Sequence, residues 1–167
     1  AFALANTTTL NIGTSIANIY ARDAVSSACA SATLNEFSGG RYILGLGVSH
    51  VPLVEKLRGP EYRKPVTAMR RYLNDMKAAG DDATNWPVTI AALGPRMLEL
   101  AAECASGALP YNVTPEHTAQ AAEIMNDGQM LVVEQKVCLE SDPATARALA
   151  RAELGRYMTL PNYVNNW

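Results

Sequence analysis

Residues that could carry out chemistry gather where a predicted buried strand ends, in the stretch RYILGLGVSH (41–50). Gly45 and Gly47 would let a backbone come close to a flat or phosphorylated ligand, because glycine has no Cβ. Ser49 and His50 follow as polar groups, and histidine titrates near neutral pH, so His50 is the candidate for acid/base catalysis. A glycine-rich turn that only fits a helix to a sheet would use the same residue types, so the spacing alone leaves both interpretations open.

A second corner is the stretch AALGPRM (91–97), which runs from a predicted strand into Gly94 and a helix opened by Pro95. The free N–H groups of a helix N-terminus bind anions, and Arg96 adds positive charge nearby. Thr114, at the start of the next helix, is in position to add a hydroxyl group to the same phosphate. Tight packing of a short connection stays open as the alternative explanation.

The third corner, IGTSIANIY (12–20), places the small residues Gly13, Thr14 and Ser15 where a planar ligand could stack. The other histidine, His117, lies in the first turn of a predicted helix, and we interpret it as a solvent-exposed helix residue. The sequence contains no dinucleotide fingerprint, no Ser-His-Asp order, no P-loop and no metal-ligand cluster. We therefore expect no bound metal.

Five short apolar segments alternate with longer segments of helical period. Unbroken apolar segments are typical of parallel strands buried on both faces, and the alternation predicts an α/β fold of βα repeats. An open doubly wound sheet and an arc of a (β/α)8 barrel both fit, and five units are too few to close an eight-stranded barrel of about 250 residues. The predicted strands are Leu10–Ile16, Tyr42–Leu46, Val88–Ala92, Ala108–Val113 and Met130–Leu139.

Helix boundaries follow from capping residues. Asp23 is a candidate N-cap for a helix over Ala24–Phe37, and Gly39 is placed to end that helix. Proline at the first helical position, preceded by Thr114 or Asp142, marks two later helix starts. The loop-like stretch HVPLVEKLRGPEYRKP separates the second strand from the next helix.

The 167-residue chain is 49% hydrophobic, which is enough for one core, so we predict a single domain over residues 1–167. A net charge of -2 without a basic tract argues against nucleic acid or an anionic membrane as a partner. No apolar run approaches the roughly 18 residues of a membrane helix. Cys29, Cys104 and Cys138 lie far apart, and we interpret them as reduced core residues of a soluble, cytoplasmic protein.

Taken together, these corners resemble the luciferase-like monooxygenase superfamily, and within it the oxidoreductases that use the deazaflavin coenzyme F420. Residues 14–50, including the signature "GGR-x-x-L-G-L-G", are similar to that family's third strand, third helix and fourth strand. The stretch AALGPRMLELAAECASGALPYNVTPEHT is similar to its phosphate-side βα units, and EQKVCLESDPATARALAR to the strand and helix that follow. The resemblance covers essentially the whole chain.

The resemblance implies a partial (β/α)8 TIM barrel of about five parallel βα units, with coenzyme F420 lying across the strand ends. It places Ser15 and Ile16 at a bulge with a non-proline cis peptide that backs the deazaflavin ring. Val48 and Ser49 fall where the turn after the fourth strand contacts that ring.

The same resemblance assigns the remaining site residues. His50 falls where related dehydrogenases place an acidic group that acts in proton transfer. Leu93 and Gly94 fall at the backbone site for the cofactor phosphate. The implied function is hydride transfer between F420 and a small organic substrate. The alternatives are an FMN-dependent monooxygenase of the same superfamily and a non-catalytic barrel segment that is stable only as an oligomer.

The two ends of the sequence start and stop abruptly, so we expect a barrel truncated at both ends, with strands three to seven of the family present. Such an arc has two open edges, at Leu10–Ile16 and Met130–Leu139, whose unpaired N–H and C=O groups invite pairing with another chain. We therefore predict a homo-oligomer, most simply a two-fold dimer.

Overall fold

A sheet of parallel strands forms the centre of the fold. The computed structural model describes residues 1–51, 54–55, 62, 64–80, 85–155 and 157–166. Within these ranges one six-stranded sheet has the order β1-β3-β4-β5-β6, with β2 also paired to β3, and every pairing is parallel. The strands are β1 (Ile12–Gly13), β2 (Ala17–Asn18), β3 (Tyr42–Gly47), β4 (Val88–Ala91), β5 (Gly107–Leu109) and β6 (Met130–Leu131).

Helices fill the connections between the strands, which gives the predicted α/β arrangement of an open arc of βα units. The hydrophobic core lies between the sheet and the helices that cover it, and Leu46, Met69, Ile90 and Leu100 are among its fully buried side chains. The helices are α1 (Phe2–Ala5), α2 (Ala24–Ser38), α3 (Pro65–Ala78), α4 (Pro95–Cys104), α5 (Pro115–Ile124), α6 (Pro143–Leu154) and α7 (Pro161–Val164), with a 3-10 turn at Tyr157–Thr159.

The predicted helix starts are confirmed where a side chain caps the first turn. Asp23 Oδ1 accepts a hydrogen bond from Ser26 N at 2.8 Å, and Asp142 Oδ2 accepts one from Thr145 N at 2.7 Å. Gly39 follows α2 with a φ of 66°, a left-handed conformation that glycine adopts without steric cost.

The prediction of one continuous strand over Leu10–Ile16 is wrong. The segment is divided into β1 and β2, each two residues long and each paired with β3. Between them the Thr14 hydroxyl donates to Gly45 O at 2.8 Å and accepts from Gly45 N at 3.0 Å, so a side chain replaces the backbone pairing. The peptide between Ser15 and Ile16 is cis, as the resemblance implies.

The last predicted strand, Met130–Leu139, is wrong beyond Leu131, where regular pairing with β5 ends. Tyr111 and Glu134 form one further isolated bridge. Past that bridge the chain has no described strand beside it, and Leu139 is 99% exposed. Apolar composition alone predicted a strand here, but strand residues also need partners for their N–H and C=O groups.

Two of the three cysteines, Cys29 and Cys138, are not the core residues that we predicted, whereas Cys104 packs against the core. Cys29 and Cys138 are exposed, Cys104 is partly buried, and all three thiols are free. Helix α2 buries a face that includes Ala28 and Ser31, so Cys29 lies away from the sheet. Cys138 lies in the exposed segment that follows β6.

Most of the predicted loop at residues 50–65 lies outside the described residues. Within the described ranges, no helix has both the length and the apolar character that crossing a membrane requires.

Candidate functional site

A cavity of about 670 Å³, here called the main cavity, lies at the carboxyl ends of the parallel strands. Parallel α/β proteins place ligand sites at this edge, because the segments that leave the strands meet there. The volume is in the range that holds a cofactor or a small ligand. Every predicted site residue except Thr114 lines it: Ser15, Ile16, Val48, Ser49, His50, Leu93 and Gly94.

Thr114 lies outside the main cavity and lines a second one, beside Asn112 and Lys136. Its side-chain oxygen accepts a hydrogen bond from His117 N at 3.2 Å, so the hydroxyl serves as the N-cap of α5. Thr114 therefore does not share the cavity that Leu93 and Gly94 line.

The two glycines of β3 have a different role from the one that we predicted. A Cβ atom on Gly45 would lie 1.9 Å from Thr14 O, and one on Gly47 would lie 2.5 Å from Ile16 Cδ1. Both contacts are far shorter than van der Waals distance, so these positions exclude any side chain. The glycines make room for the bulge of the neighbouring strand, and Ser15 and Ile16 of that bulge line the main cavity.

Glu134 is a site residue that sequence reasoning missed. It lies just past β6, lines the main cavity, and its carboxylate accepts a hydrogen bond from Ser15 Oγ at 2.5 Å. The signal that could have found it is a charged residue inside the apolar segment MLVVEQ (130–135), directly after the strand residues.

Tyr62 supports the turn that carries Ser49. Ser49 has a φ of 58°, and its carbonyl oxygen accepts a hydrogen bond from the Tyr62 hydroxyl at 3.2 Å. Burial, with a smaller contribution from Tyr20, raises the pKa of Tyr62 to about 12, so the phenol remains a neutral donor. Tyr62 falls in the predicted loop, where no periodic pattern could identify it.

His50 is half-buried in the wall of the main cavity. Burial lowers its pKa below the ordinary value of 6.5, so the imidazole is neutral at pH 7. Its Nδ1 is buried and has no hydrogen-bond partner in the described part of the chain. A neutral imidazole can accept a proton from a bound ligand at its unprotonated nitrogen and return it from the imidazolium form.

Three tyrosines form a wall beside His50. The Tyr163 ring lies 5.6 Å from the His50 ring, 4.9 Å from Tyr157 and 6.1 Å from Tyr111, measured between ring centroids. Tyr163 is only 6% exposed, and burial raises its pKa well above its ordinary value. Sequence reasoning missed this wall, because a four-residue helix such as α7 is too short to show a helical period.

The predicted anion corner is the start of α4, and it is left without a side-chain cap. Gly94 is the N-cap, and Pro95 at the first helical position has no N–H. The backbone N–H groups of Gly94 and Arg96 are therefore the nearest donors for an anion at this corner. The exposed Arg96 lines the cavity and adds positive charge.

The interpretation of His117 as a solvent-exposed residue is wrong. Its side chain is buried, and its Nε2 lies 2.7 Å from Leu93 O. The reason is that α5 packs against α4, so the first turn of α5 faces the strand end that precedes α4.

These features fit a flat, phosphorylated cofactor. Apolar side chains of Ile16, Val48 and Leu109 offer surfaces for a ring, and the uncapped start of α4 at Gly94 offers donors for a phosphate. Within the described ranges, no three His, Cys, Asp or Glu side chains lie close enough together to hold a metal ion.

Comparison with known proteins agrees with this description. The family model for luciferase-like monooxygenases matches residues 1–166. The 5,10-methylenetetrahydromethanopterin reductase of Methanolobus tindarius is 29% identical over 177 residues, which cover 89% of this chain and 54% of that protein. The reductase of the same name from Archaeoglobus fulgidus is 32% identical over 142 residues, which cover 73% of this chain and 42% of that protein.

A solved structure shows the same fold. The coenzyme F420-dependent tetrahydromethanopterin reductase from Methanopyrus kandleri superposes with a TM-score of 0.62 at 23% identity, over 76% of this chain and 47% of that one. The chain spans about half the length of the curated relatives that it matches. The fold is thus a partial (β/α)8 barrel, and the chain belongs to the luciferase-like monooxygenase family.

Proposed function

We propose that this chain is all or part of an oxidoreductase that transfers a hydride between coenzyme F420 and a small organic substrate. The single observation that carries the proposal is that the bulge at Ser15 and Ile16, the neutral His50 and the uncapped helix start at Gly94 all line one cavity. The coenzyme in the name of the Methanopyrus kandleri structure supports F420 as the cofactor.

The residues that line the main cavity would have three roles: contact with the cofactor ring, binding of its phosphate, and proton transfer to or from the substrate. Ile16 and Val48 would contact the deazaflavin ring, and the backbone at Gly94 would bind the phosphate. When bound, the cofactor supplies or accepts a hydride, which is one proton with two electrons. Reduction of a carbonyl or imine also requires a proton on its heteroatom. As a neutral imidazole, His50 would accept the proton that is released when a substrate is oxidised. In the direction of reduction, the imidazolium form, which takes its proton from solvent, would donate that proton to the heteroatom.

The tyrosine wall would serve the same chemistry by excluding water. Tyr163 and Tyr157 lie beside His50 and cover that side of the main cavity with aromatic rings. Lower access of water strengthens the electrostatic interactions inside a site and protects a transferable hydride.

Titration with oxidised F420 and with FMN, followed by absorbance and fluorescence, tests the proposal. We expect F420 to bind, and we expect Gly94→Val to weaken binding by about tenfold or more, because a branched side chain would stand before the backbone donors. Gly94→Ala is the matched control, since a Cβ there would lie 3.7 Å from the nearest atom, Asn166 Oδ1. Binding of FMN without F420 would instead support the monooxygenase alternative.

Two further outcomes complete this experiment. If a cooperatively folded sample binds neither cofactor, the chain is a non-catalytic barrel segment. If F420 binds, His50→Ala should leave the affinity nearly unchanged and lower turnover by about 100-fold, the usual size of a lost acid/base contribution. Unchanged turnover would limit His50 to lining the cavity.

We also propose a homodimer in the cytoplasm. The open edges of the arc, next to Leu10 and Val132, support the dimer, because both residues are exposed and apolar. The free thiols of Cys29, Cys104 and Cys138 support a reducing compartment.

A further inference from the structure

A buried hydrogen bond lies behind the anion corner, between His117 Nε2 and Leu93 O, at 2.7 Å. His117 is only 9% exposed and lies in the first turn of α5. Because a carbonyl oxygen can only accept, Nε2 carries the hydrogen and donates it. The other ring nitrogen, Nδ1, is buried without a hydrogen-bond partner among the residues that the structure describes.

This hydrogen bond sets the orientation of one peptide group. In a planar trans peptide, the C=O of one residue and the N–H of the next point in opposite directions. The Leu93–Gly94 peptide is trans. Leu93 and Gly94 both line the main cavity, whereas His117 is not among its described lining residues. With Leu93 O directed at His117, the Gly94 N–H points away from His117.

We propose that His117 is a positioning residue for the anion site: it holds the Leu93–Gly94 peptide so that the Gly94 N–H faces a phosphate group. This inference rests on the proposed function, in which the phosphate belongs to coenzyme F420. If the peptide turned over, Leu93 O would face the anion and repel it. The hydrogen bond from His117 would therefore turn the Gly94 N–H toward the anion and keep Leu93 O away from it.

The position of His117 is fixed by contacts that do not depend on a ligand. Thr114 Oγ1 accepts from His117 N at 3.2 Å, which holds the first turn of α5. Just past the other end of α5, Asn126 Nδ2 donates to Ala102 O at 2.9 Å. The first bond closes the start of α5 and the second ties its far end to α4. Asn126 offers a matched control, because it is not among the described residues that line the main cavity.

Three variants and two ligands test the positioning role. His117→Phe keeps a ring but loses the donor, His117→Gln keeps an N–H donor, and Asn126→Ala removes the distant bond. The ligands are F420 and the same deazaflavin chromophore without its phosphate-bearing chain. We expect His117→Phe to weaken F420 binding about tenfold, the value of one hydrogen bond to a charged group, and to change chromophore binding less than about twofold.

The control variants make the result specific. His117→Gln should restore most of the F420 affinity, and Asn126→Ala should leave the ratio of the two affinities unchanged even if it lowers stability. A His117→Phe protein that folds and keeps the wild-type ratio would overturn the proposal, because a purely structural histidine would affect both ligands equally.

Inorganic phosphate separates this proposal from the identity of the cofactor. In isotope-labelled wild-type protein, saturating phosphate should move the Gly94 amide resonance downfield, and Asn126→Ala should preserve that shift. This measurement does not depend on whether His117→Phe folds. A Gly94 amide that does not respond to phosphate would overturn the positioning role even if F420 binds. A phosphate response without F420 binding would overturn only the proposed function.

Discussion

Ser15 Oγ donates a hydrogen bond to Glu134 Oε2 at 2.5 Å, although the two residues are 119 positions apart. Ser15 lies between β1 and β2 at one edge of the sheet, and Glu134 follows β6 at the other edge. In a flat sheet, four steps of about 4.8 Å would place these edges about 19 Å apart. The contact therefore shows that the strands curve around the main cavity, as strands of a barrel do.

The Ser15–Glu134 contact should couple the two edges energetically. We expect a double-mutant cycle of Ser15→Ala and Glu134→Ala, measured by urea unfolding, to give a coupling free energy of about 1 kcal/mol. Both residues are exposed, which keeps the value small. Glu134→Gln should retain part of the coupling, because an amide oxygen still accepts. Strictly additive effects would contradict the contact.

The same added methyl group should destabilise the protein strongly at Gly45 and only slightly at Gly94. Gly45→Ala places a Cβ 1.9 Å from Thr14 O, and we expect the free energy of unfolding to fall by about 3 kcal/mol. Gly94→Ala meets only Asn166 at 3.7 Å, and with a φ of -83° we expect a change within about 1 kcal/mol. Chemical denaturation measures both. Equal losses would show that the bulge can move away from β3.

His50 should make stability depend on pH. Its pKa is 6.5 in the unfolded chain and is lowered by burial in the folded protein, so between these two values the unfolded chain binds more protons. The free energy of unfolding should therefore fall as the pH drops through 6.5 toward the lower folded value. Denaturation at a series of pH values should give a smaller slope for His50→Gln than for the wild type. Identical slopes would contradict the effect of burial.

Tyr163 should hold the tyrosine wall against His50. Tyr163→Ala removes a buried ring, and we expect a loss of about 3 kcal/mol in the free energy of unfolding. Val164→Ala is the matched control on the same short helix, because Val164 is exposed, and its effect should stay within about 0.5 kcal/mol. Tyr163→Ala should also raise the pKa of His50 toward 6.5, measured by NMR titration. An unmoved His50 pKa would show that other groups bury it.

The open edges should drive assembly. Leu10, Val132 and Leu139 are exposed apolar residues at or beyond the edge strands β1 and β6. We expect light scattering to report a homodimer at low micromolar concentration. Val132→Lys and Leu139→Lys should weaken the dimer, because charge on an edge opposes pairing. A compact, non-aggregating monomer would refute the homo-oligomer.

The sequence by itself determined the order of the βα units and the starts of the helices. Asp23, Thr114 and Asp142 each bond to a backbone N–H three residues later, so the signal and its partner lie within one turn. The ends of the central strands, where Ser49 and Gly94 lie, were also predictable. Chain order in a parallel sheet already places such residues at one edge.

Only the tertiary structure decided what those residues contact. Gly45 is explained by Thr14, 31 positions away, and the burial of His117 is explained by Leu93, 24 positions away. Glu134 and Tyr163 enter the site only because the sheet curves and the chain returns across its edge. Strand pairing and sheet curvature depend on contacts between segments that are distant in sequence. The amino-acid composition and the hydrophobic period of one segment do not specify those contacts. For the same reason the sequence extended the last strand to Leu139, whereas regular pairing with β5 stops at Leu131.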